Sequence, residues 1–212
     1  MEIVYSIKRL GERLLEPLPG RLAHDRMMAR VVPMPLVIPE NAKPSAVLAL
    51  LFPKNSKLHL LLIKRTEDGR AHSGQISLPG GKQDPTDADL RATALREAQE
   101  EVGIRSADVL FLGQLSPLYI PVSNFHVYPF VGFSERTPEY LLSHQEVAHV
   151  IELPVQELLN EKRKTVVEVT SPADRNFIRK VNAYMLDDGA VIWGATAMIL
   201  SELEVVLQEA VG

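Results

Sequence analysis

The sequence predicts a mixed α/β fold of the α+β kind: a mixed β-sheet sandwiched between helices, with an N-terminal helical arm. Three observations carry this expectation. Short apolar runs of strand type recur along the chain with helical patterns between them, but without a strict βαβ repeat. Two such runs, Ala46 to Phe52 and Leu58 to Lys64, are spaced as the arms of a hairpin. The composition, 46% hydrophobic and 24% charged over 212 residues, supplies a sizeable core within one domain, 1–212.

Taken in order, Ile3, Val4, Ile7, Leu10, Leu14 and Leu15 recur at helical spacing, and Pro17 and Pro19-Gly20 stop the helix they predict. A second short helix is expected over Leu22 to Met28. Pro33, Pro35, Pro39 and Pro44 suit a crossing arm rather than regular structure. The first ~40 residues therefore read as an arm packed on a main body that begins at about residue 43. Within that body, Pro53 to Lys57 turns the hairpin, a long loop runs to Gly81, and a helix spans about Asp87 to Val102. Further strands are expected at Val109 to Leu115, Val127 to Phe133, His149 to Leu153, Lys164 to Val169 and Ile178 to Leu186. Val155 to Leu159 reads as a helical turn, and Thr196 to Glu209 as the closing helix.

Charge and composition exclude several classes of function. With 23 basic and 27 acidic residues the net charge is −4, which argues against a nucleic-acid binder that works through many phosphate contacts. There is no cysteine, so disulfides and thiolate metal sites are excluded and any metal must be held by oxygen or nitrogen. No basic segment followed by an apolar one opens the chain, and the longest apolar run, Ala46 to Phe52, is too short to span a bilayer. A soluble, cytoplasmic protein without membrane partners is the expectation.

The chemistry concentrates between Leu78 and Ile104. Leu78-Pro79-Gly80-Gly81 is followed by Asp87 and then by Arg96-Glu97-Ala98-Gln99-Glu100-Glu101-Val102-Gly103. On a helical wheel Leu90, Ala94, Leu95, Ala98 and Val102 share the sector that must face the core. Glu97 and Glu101 stand one turn apart at its edge, with Glu100 on the outer flank. Three carboxylates on one turn repel each other, and a hard divalent cation removes that penalty. Arg96 precedes Glu100 by one turn and is placed to hold its carboxylate. Paired glycines let the backbone pass close to metal and phosphate. Thr86 or Asp87 is the expected N-cap, with Asp89 completing a capping box if Thr86 is the cap. A single Glu on such a helix is ordinary solvated surface; the signal lies in the whole spacing.

Residues Gly81 to Ile104 resemble the Nudix box, the signature of a superfamily that hydrolyses nucleoside diphosphates linked to another group. Asp87 stands where the usual pattern has Glu, and eight residues rather than seven separate it from Arg96. A one-residue insertion there is similar to the coenzyme A diphosphatase branch. A second element, Leu61-Leu62-Ile63-Lys64-Arg65-Thr66 with Arg70, Gly74 and Leu78-Pro79-Gly80-Gly81, is similar to the motif of that branch. There the pattern has Thr at 63, Ser at 66 and Phe at 78, where this chain has Ile63, Thr66 and Leu78. The two motifs span residues 61 to 104.

The resemblance implies that Glu97 and Glu101 hold Mg²⁺ or Mn²⁺, with Glu100 and the Gly80 carbonyl as further ligands. It implies that Arg65, Arg70, Gly74 and Gly81 meet the substrate, with Arg96 in support, and it leaves Glu97, Glu100 and Glu146 as candidates for the general base. His72 and Lys82 are weaker candidates for charge near the ligand. The expected substrate is coenzyme A, cut to adenosine 3′,5′-bisphosphate and 4′-phosphopantetheine. Alternatives are another nucleoside diphosphate derivative (ADP-ribose or a dinucleotide), or a non-catalytic nucleotide sensor. The apolar arm would serve a homodimer as readily as its own core.

Overall fold

Strand β1, Lys43–Lys54, runs through the middle of the molecule and explains its layering. Its apolar run alternates: Ala46, Leu48, Leu50 and Phe52 enter one buried cluster, whereas Ala49 and Leu51 enter another on the opposite face. β2, Lys57–Arg65, repeats the division, with Leu61 and Ile63 on the first face and Leu60 and Leu62 on the second. A continuous apolar run thus gives a strand buried on both sides. The computed structural model describes residues 2–28, 37–67, 73–171 and 174–211. Pro33 and Pro35 of the expected crossing arm lie outside the described residues.

The expected hairpin joins β1 to β2 through Asn55 and Ser56, both with positive φ, opposite the Lys54↔Lys57 pair. After β2 come β3 (Ile76–Ser77), β4 (Gly80–Lys82), helix α3 (Leu90–Val102), β5 (Leu110–Gln114), β6 (Leu118–Ile120), β7 (Phe125–Phe133), β8 (Val147–Pro154) and the one-turn helix α4 (Val155–Leu158). The main sheet is ordered β3-β2-β1-β7-β5, with β4 on β1, β6 on β7 and β8 on β2. It is mixed: β1 and β7 run parallel over nine residue pairs, and its other pairs are antiparallel. β9 (Lys164–Ser171), β10 (Asp174–Met185) and β11 (Val191–Trp193) form a second, antiparallel sheet.

Helices cover both faces of the main sheet. α3 lays Ala94, Ala98 and Val102 on one. The other is covered by α1, Glu2–Arg13, and α5, Gly194–Val211, through Ile7, Leu10, Leu200, Leu203 and Val206. Arg13 Nε donates to Glu209 across this pair at 2.8 Å. The short helix α2, Arg21–His24, is fastened by a buried cluster. Glu202 of α5 accepts from the Gly20 N–H, from both the N–H and hydroxyl of Ser116, and pairs with His24 Nε2 at 3.1 Å. Burial opposes ionisation of Glu202, yet the bonds from His24, Ser116 and Gly20 outweigh it and hold its carboxyl below the usual value. Among the described residues, no helix is long and apolar enough to cross a membrane.

The structure differs from the sequence reading mainly at element ends. α3 begins at Leu90 rather than near Asp87, and its N-cap is Asp89, whose Oδ1 accepts from the Ala92 N–H at 2.7 Å. β3 and β4 lie inside the expected loop, while β6 and β11 are short additions. β10 starts at Asp174, four residues before the expected strand.

Candidate active site

α3 reaches the site with both ends tied. Its first turn is capped by Asp89, and it closes on Gly103, whose N–H donates to the Gln99 carbonyl. The last-turn carbonyls of Glu101 and Val102 accept from the N–H groups of Ser143 and Leu141. The outer edge of the helix is thereby held at a fixed rotation over β4.

β4 exists because Gly80 and Gly81 pair with Val47 and Ala46 of β1. A Cβ built on Gly81 would lie 2.6 Å from each Glu97 carboxylate oxygen, so the glycine leaves the cradle in which that carboxylate sits. Gly80 has φ +153, and a Cβ there would collide with the backbone of Ala46 and Val47. Its N–H donates to Glu101 Oε2 at 2.9 Å. Arg65 Nη1, at the end of β2, donates to the other oxygen of Glu101 at 3.1 Å.

Glu101 is only 2% exposed. Burial pushes its carboxyl up to about 7, opposed by the Gly80 N–H and by Arg65 and reinforced by the charges of Glu97 and Glu146. Glu97 is raised as well, first by burial, with Arg96 opposing and Glu100 and Glu146 adding to the rise.

Arg96 is the organiser on the outer side. Nε and Nη2 form a fork on Asp87 at 2.9 and 3.1 Å, Nη2 also meets the Lys82 carbonyl and Glu97 Oε1, and Nη1 donates to Glu100 at 3.0 Å. The Arg96 bonds above all hold the Asp87 carboxyl far below the usual carboxylate range, with the Asp84 N–H and the Thr93 hydroxyl assisting. Asp87 is therefore an anchor for Arg96 rather than a helix cap.

The structure brings together Arg65, Gly80, Gly81, Arg96, Glu97, Glu100 and Glu101, and the charge of Glu146 bears on Glu97 and Glu101. Gly74 lies at the base of the loop after β2, its N–H on the Thr66 carbonyl at 3.1 Å. Arg70 and His72 lie outside the described residues. The Lys82 side chain is exposed, and its carbonyl accepts from Arg96. The sequence reading missed the Asp87–Arg96 fork. The Asp at the usual Glu position was its one signal.

Among the described residues, no group of three or more Asp, Glu or His side chains is arranged as a finished metal shell. The donor set nevertheless fits a hard divalent ion. It offers oxygen donors, two of them on Glu97 in a cradle kept open by Gly81, and burial raises Glu97 and Glu101 together, with the neighbouring carboxylates adding to the rise. Two cavities lie elsewhere. One, of about 440 Å³, is lined by Arg91, Leu95, Phe111 and Phe130 on the other flank of α3; the second, of about 1000 Å³, lies beyond its C-terminus around Arg105 and Tyr140.

The family model described as the NUDIX domain matches residues 42–176. The chain is 38% identical over 144 residues to the uncharacterized Nudix hydrolase NudL of Yersinia pestis (strain Pestoides F), spanning 68% of this chain and 70% of that protein. NudL of Yersinia pseudotuberculosis serotype O:1b (strain IP 31758) matches to the same extent. The fold is similar to that of a MutT/nudix family protein from Enterococcus faecalis, with a TM-score of 0.53 and 16% identity, covering 82% of this chain and 66% of that one.

Proposed function

The chain belongs to the Nudix hydrolase family, and from that premise we propose that it cleaves the diphosphate of coenzyme A or a close derivative. The observation that carries the hydrolytic reading is the Glu97 carboxylate seated over Gly81, beside Glu101 and within reach of the charge of Glu146. Glu97 and Glu101 would hold Mg²⁺ or Mn²⁺, with Glu100 and the Gly80 carbonyl as further ligands. A divalent ion bound there supplies charge neutralisation at the diphosphate oxygens and acidifies a bound water.

The side chains divide the remaining work. Arg96 keeps Glu97 and Glu100 in place from the outer side, itself gripped by Asp87. Gly81 leaves room for a phosphate to approach. Hydrolysis adds water across one P–O bond, and a carboxylate must accept the proton released. Glu146 is the best placed of the candidates: it is exposed, it stands off α3, and among the described residues no side chain claims its carboxylate, whereas Arg96 engages both Glu97 and Glu100. Support for coenzyme A rests on the motif from Leu61 to Gly81. Arg70 is the cation this reading assigns to the substrate, because Arg65 already answers Glu101.

One experiment tests the reading. Purified protein is incubated with coenzyme A, ADP-ribose and dinucleotides, with and without Mg²⁺ and Mn²⁺, and the fragments are identified by mass. The expected result is metal-dependent release of 4′-phosphopantetheine from coenzyme A. Faster cleavage of ADP-ribose or of a dinucleotide would replace the substrate while keeping the chemistry. Arg70→Ala is expected to impair coenzyme A cleavage more than ADP-ribose cleavage; equal losses remove the substrate argument.

A further inference from the structure

Glu146 does not sit on a helix or within a strand, so something else must fix it. The turn from Ser143 to Val147 hangs between two attachments. On one side the Ser143 N–H donates to the Glu101 carbonyl at 2.9 Å, and the Ser143 carbonyl accepts from the N–H groups of Glu146 and Val147 at 2.9 and 2.8 Å. On the other side stands Thr66, directly after β2. Its N–H donates to the Glu146 carbonyl at 3.0 Å, and its Oγ1 donates to the Gln145 carbonyl at 3.0 Å. Its own carbonyl accepts from the Gly74 N–H and the Ser73 hydroxyl.

The β2–β8 ladder breaks register at the same point. Lys64 faces His149 but Arg65 faces Val147, so Ala148 is skipped. This bulge turns Val147, with no exposed surface, into the cluster beneath α3 and leaves Glu146 beyond the paired strand. His144, Gln145 and Glu146 are all exposed, so their carbonyls would be satisfied by water without any help. Two bonds from one residue onto neighbouring carbonyls there serve position more than burial.

We propose that Thr66 is a positioning residue for the hydrolysis, fixing the Glu146 carboxylate beside Glu97 and Glu101 through its paired bonds to the 145 and 146 carbonyls. The inference rests on the reading of Glu146 as proton acceptor. Magnitudes separate this role from a structural one. Losing one neutral, solvent-accessible hydrogen bond moves stability only slightly, whereas a shift of ~1 Å in a reacting group costs about 100-fold in rate.

The test is a double-mutant cycle on whichever diphosphate the wild type cleaves fastest, with Mg²⁺ present. Thr66→Val keeps the shape and removes the hydroxyl. It is expected to lower kcat about 10- to 100-fold with KM changed less than about threefold, and to leave the Tm within a few degrees. Thr66→Ser should recover most of the turnover. In a Glu146→Gln background, Thr66→Val should add no further loss, because its effect acts through that carboxylate. Equal losses in both backgrounds would overturn the proposal, as would a rise in KM at unchanged kcat or a failure of Thr66→Ser to recover activity. If Thr66→Val does not fold, Thr66→Ala takes its place in the same cycle. A wild type that cleaves no diphosphate defeats the hydrolase reading instead, a result distinct from an additive cycle.

Discussion

A Cβ placed on Gly81 would lie 2.6 Å from both carboxylate oxygens of Glu97. Gly81→Ala must therefore push the carboxylate aside, and the side chain most open to displacement is Glu97 itself. Turnover is expected to fall at least 100-fold, with a Tm change of a few degrees. Steady-state kinetics beside a thermal melt checks this; an active Gly81→Ala enzyme would place the reacting groups elsewhere.

Glu97→Gln keeps the shape and removes the charge. Its side chain is 16% exposed, at the rim of the core, so the fold should survive while kcat drops by a factor on the order of 10³. Circular dichroism with turnover assays on several diphosphates distinguishes this from unfolding. Near-wild-type hydrolysis by both Glu97→Gln and Glu101→Gln would show the site assignment to be wrong.

Glu101 makes the metal-free protein sensitive to pH. Burial raises its folded-state value to about 7 from an ordinary 4.5. The folded protein thus binds this proton more tightly than the unfolded chain, so stability falls as pH rises between those values, and the full loss is present above them. The upper bound on the loss is about 3 kcal/mol. Denaturant unfolding in chelator should show wild type less stable at pH 8 than at pH 5 through this group, with Glu101→Gln flattening the difference and Mg²⁺ restoring stability at pH 8. Parallel behaviour of wild type and Glu101→Gln would refute the assignment.

Asp87→Asn frees the fork that holds Arg96. Because Arg96 also touches Glu97 and Glu100, turnover is expected to fall about tenfold while metal-free stability changes little. The comparison that decides is Asp87→Glu, which should keep more activity than Asp87→Asn.

Much of this was legible in the sequence, for physical reasons. The α3 core face followed from the spacing of Ala94, Ala98 and Val102, and all three are fully buried. Leu90 and Leu95 pack against the same cluster. The hairpin followed from two apolar runs and a short polar turn. The cap was ambiguous because Thr86, Asp87 and Asp89 all suit that role. Arg96, nine positions on, claims Asp87 and leaves Asp89 to cap. β3 and β4 carry no strand signature of their own: Ile76–Ser77 and Gly80–Lys82 are extended because β2 and β1 offer them partners. Likewise no local pattern tells that Glu101 is buried on Gly80 and Arg65, a relation across more than 20 residues.

The buried Glu202 gathers donors from Gly20, His24 and Ser116, in two segments distant in sequence from α5. Glu202→Ala leaves those donors without an acceptor and should destabilise the protein by about 3 kcal/mol, with activity retained below the melting range. Since the folded-state carboxyl lies below its usual value, its contribution is present above about pH 4.5 and is lost as pH falls through the folded value. Chemical denaturation at pH 7 measures the difference; an unchanged midpoint would show the cluster to be dispensable.

The pairing of α1 with α5 joins positions as far apart as Arg13 and Glu209, 196 residues along the chain. During synthesis the greasy side of α1 emerges long before α5 and must wait, uncovered, until α5 has left the ribosome. The layer bearing α3 is assembled from segments nearer one another and can consolidate earlier. Nascent chains arrested before residue 194 should therefore engage holding chaperones through α1, even with the acidic helix already in place.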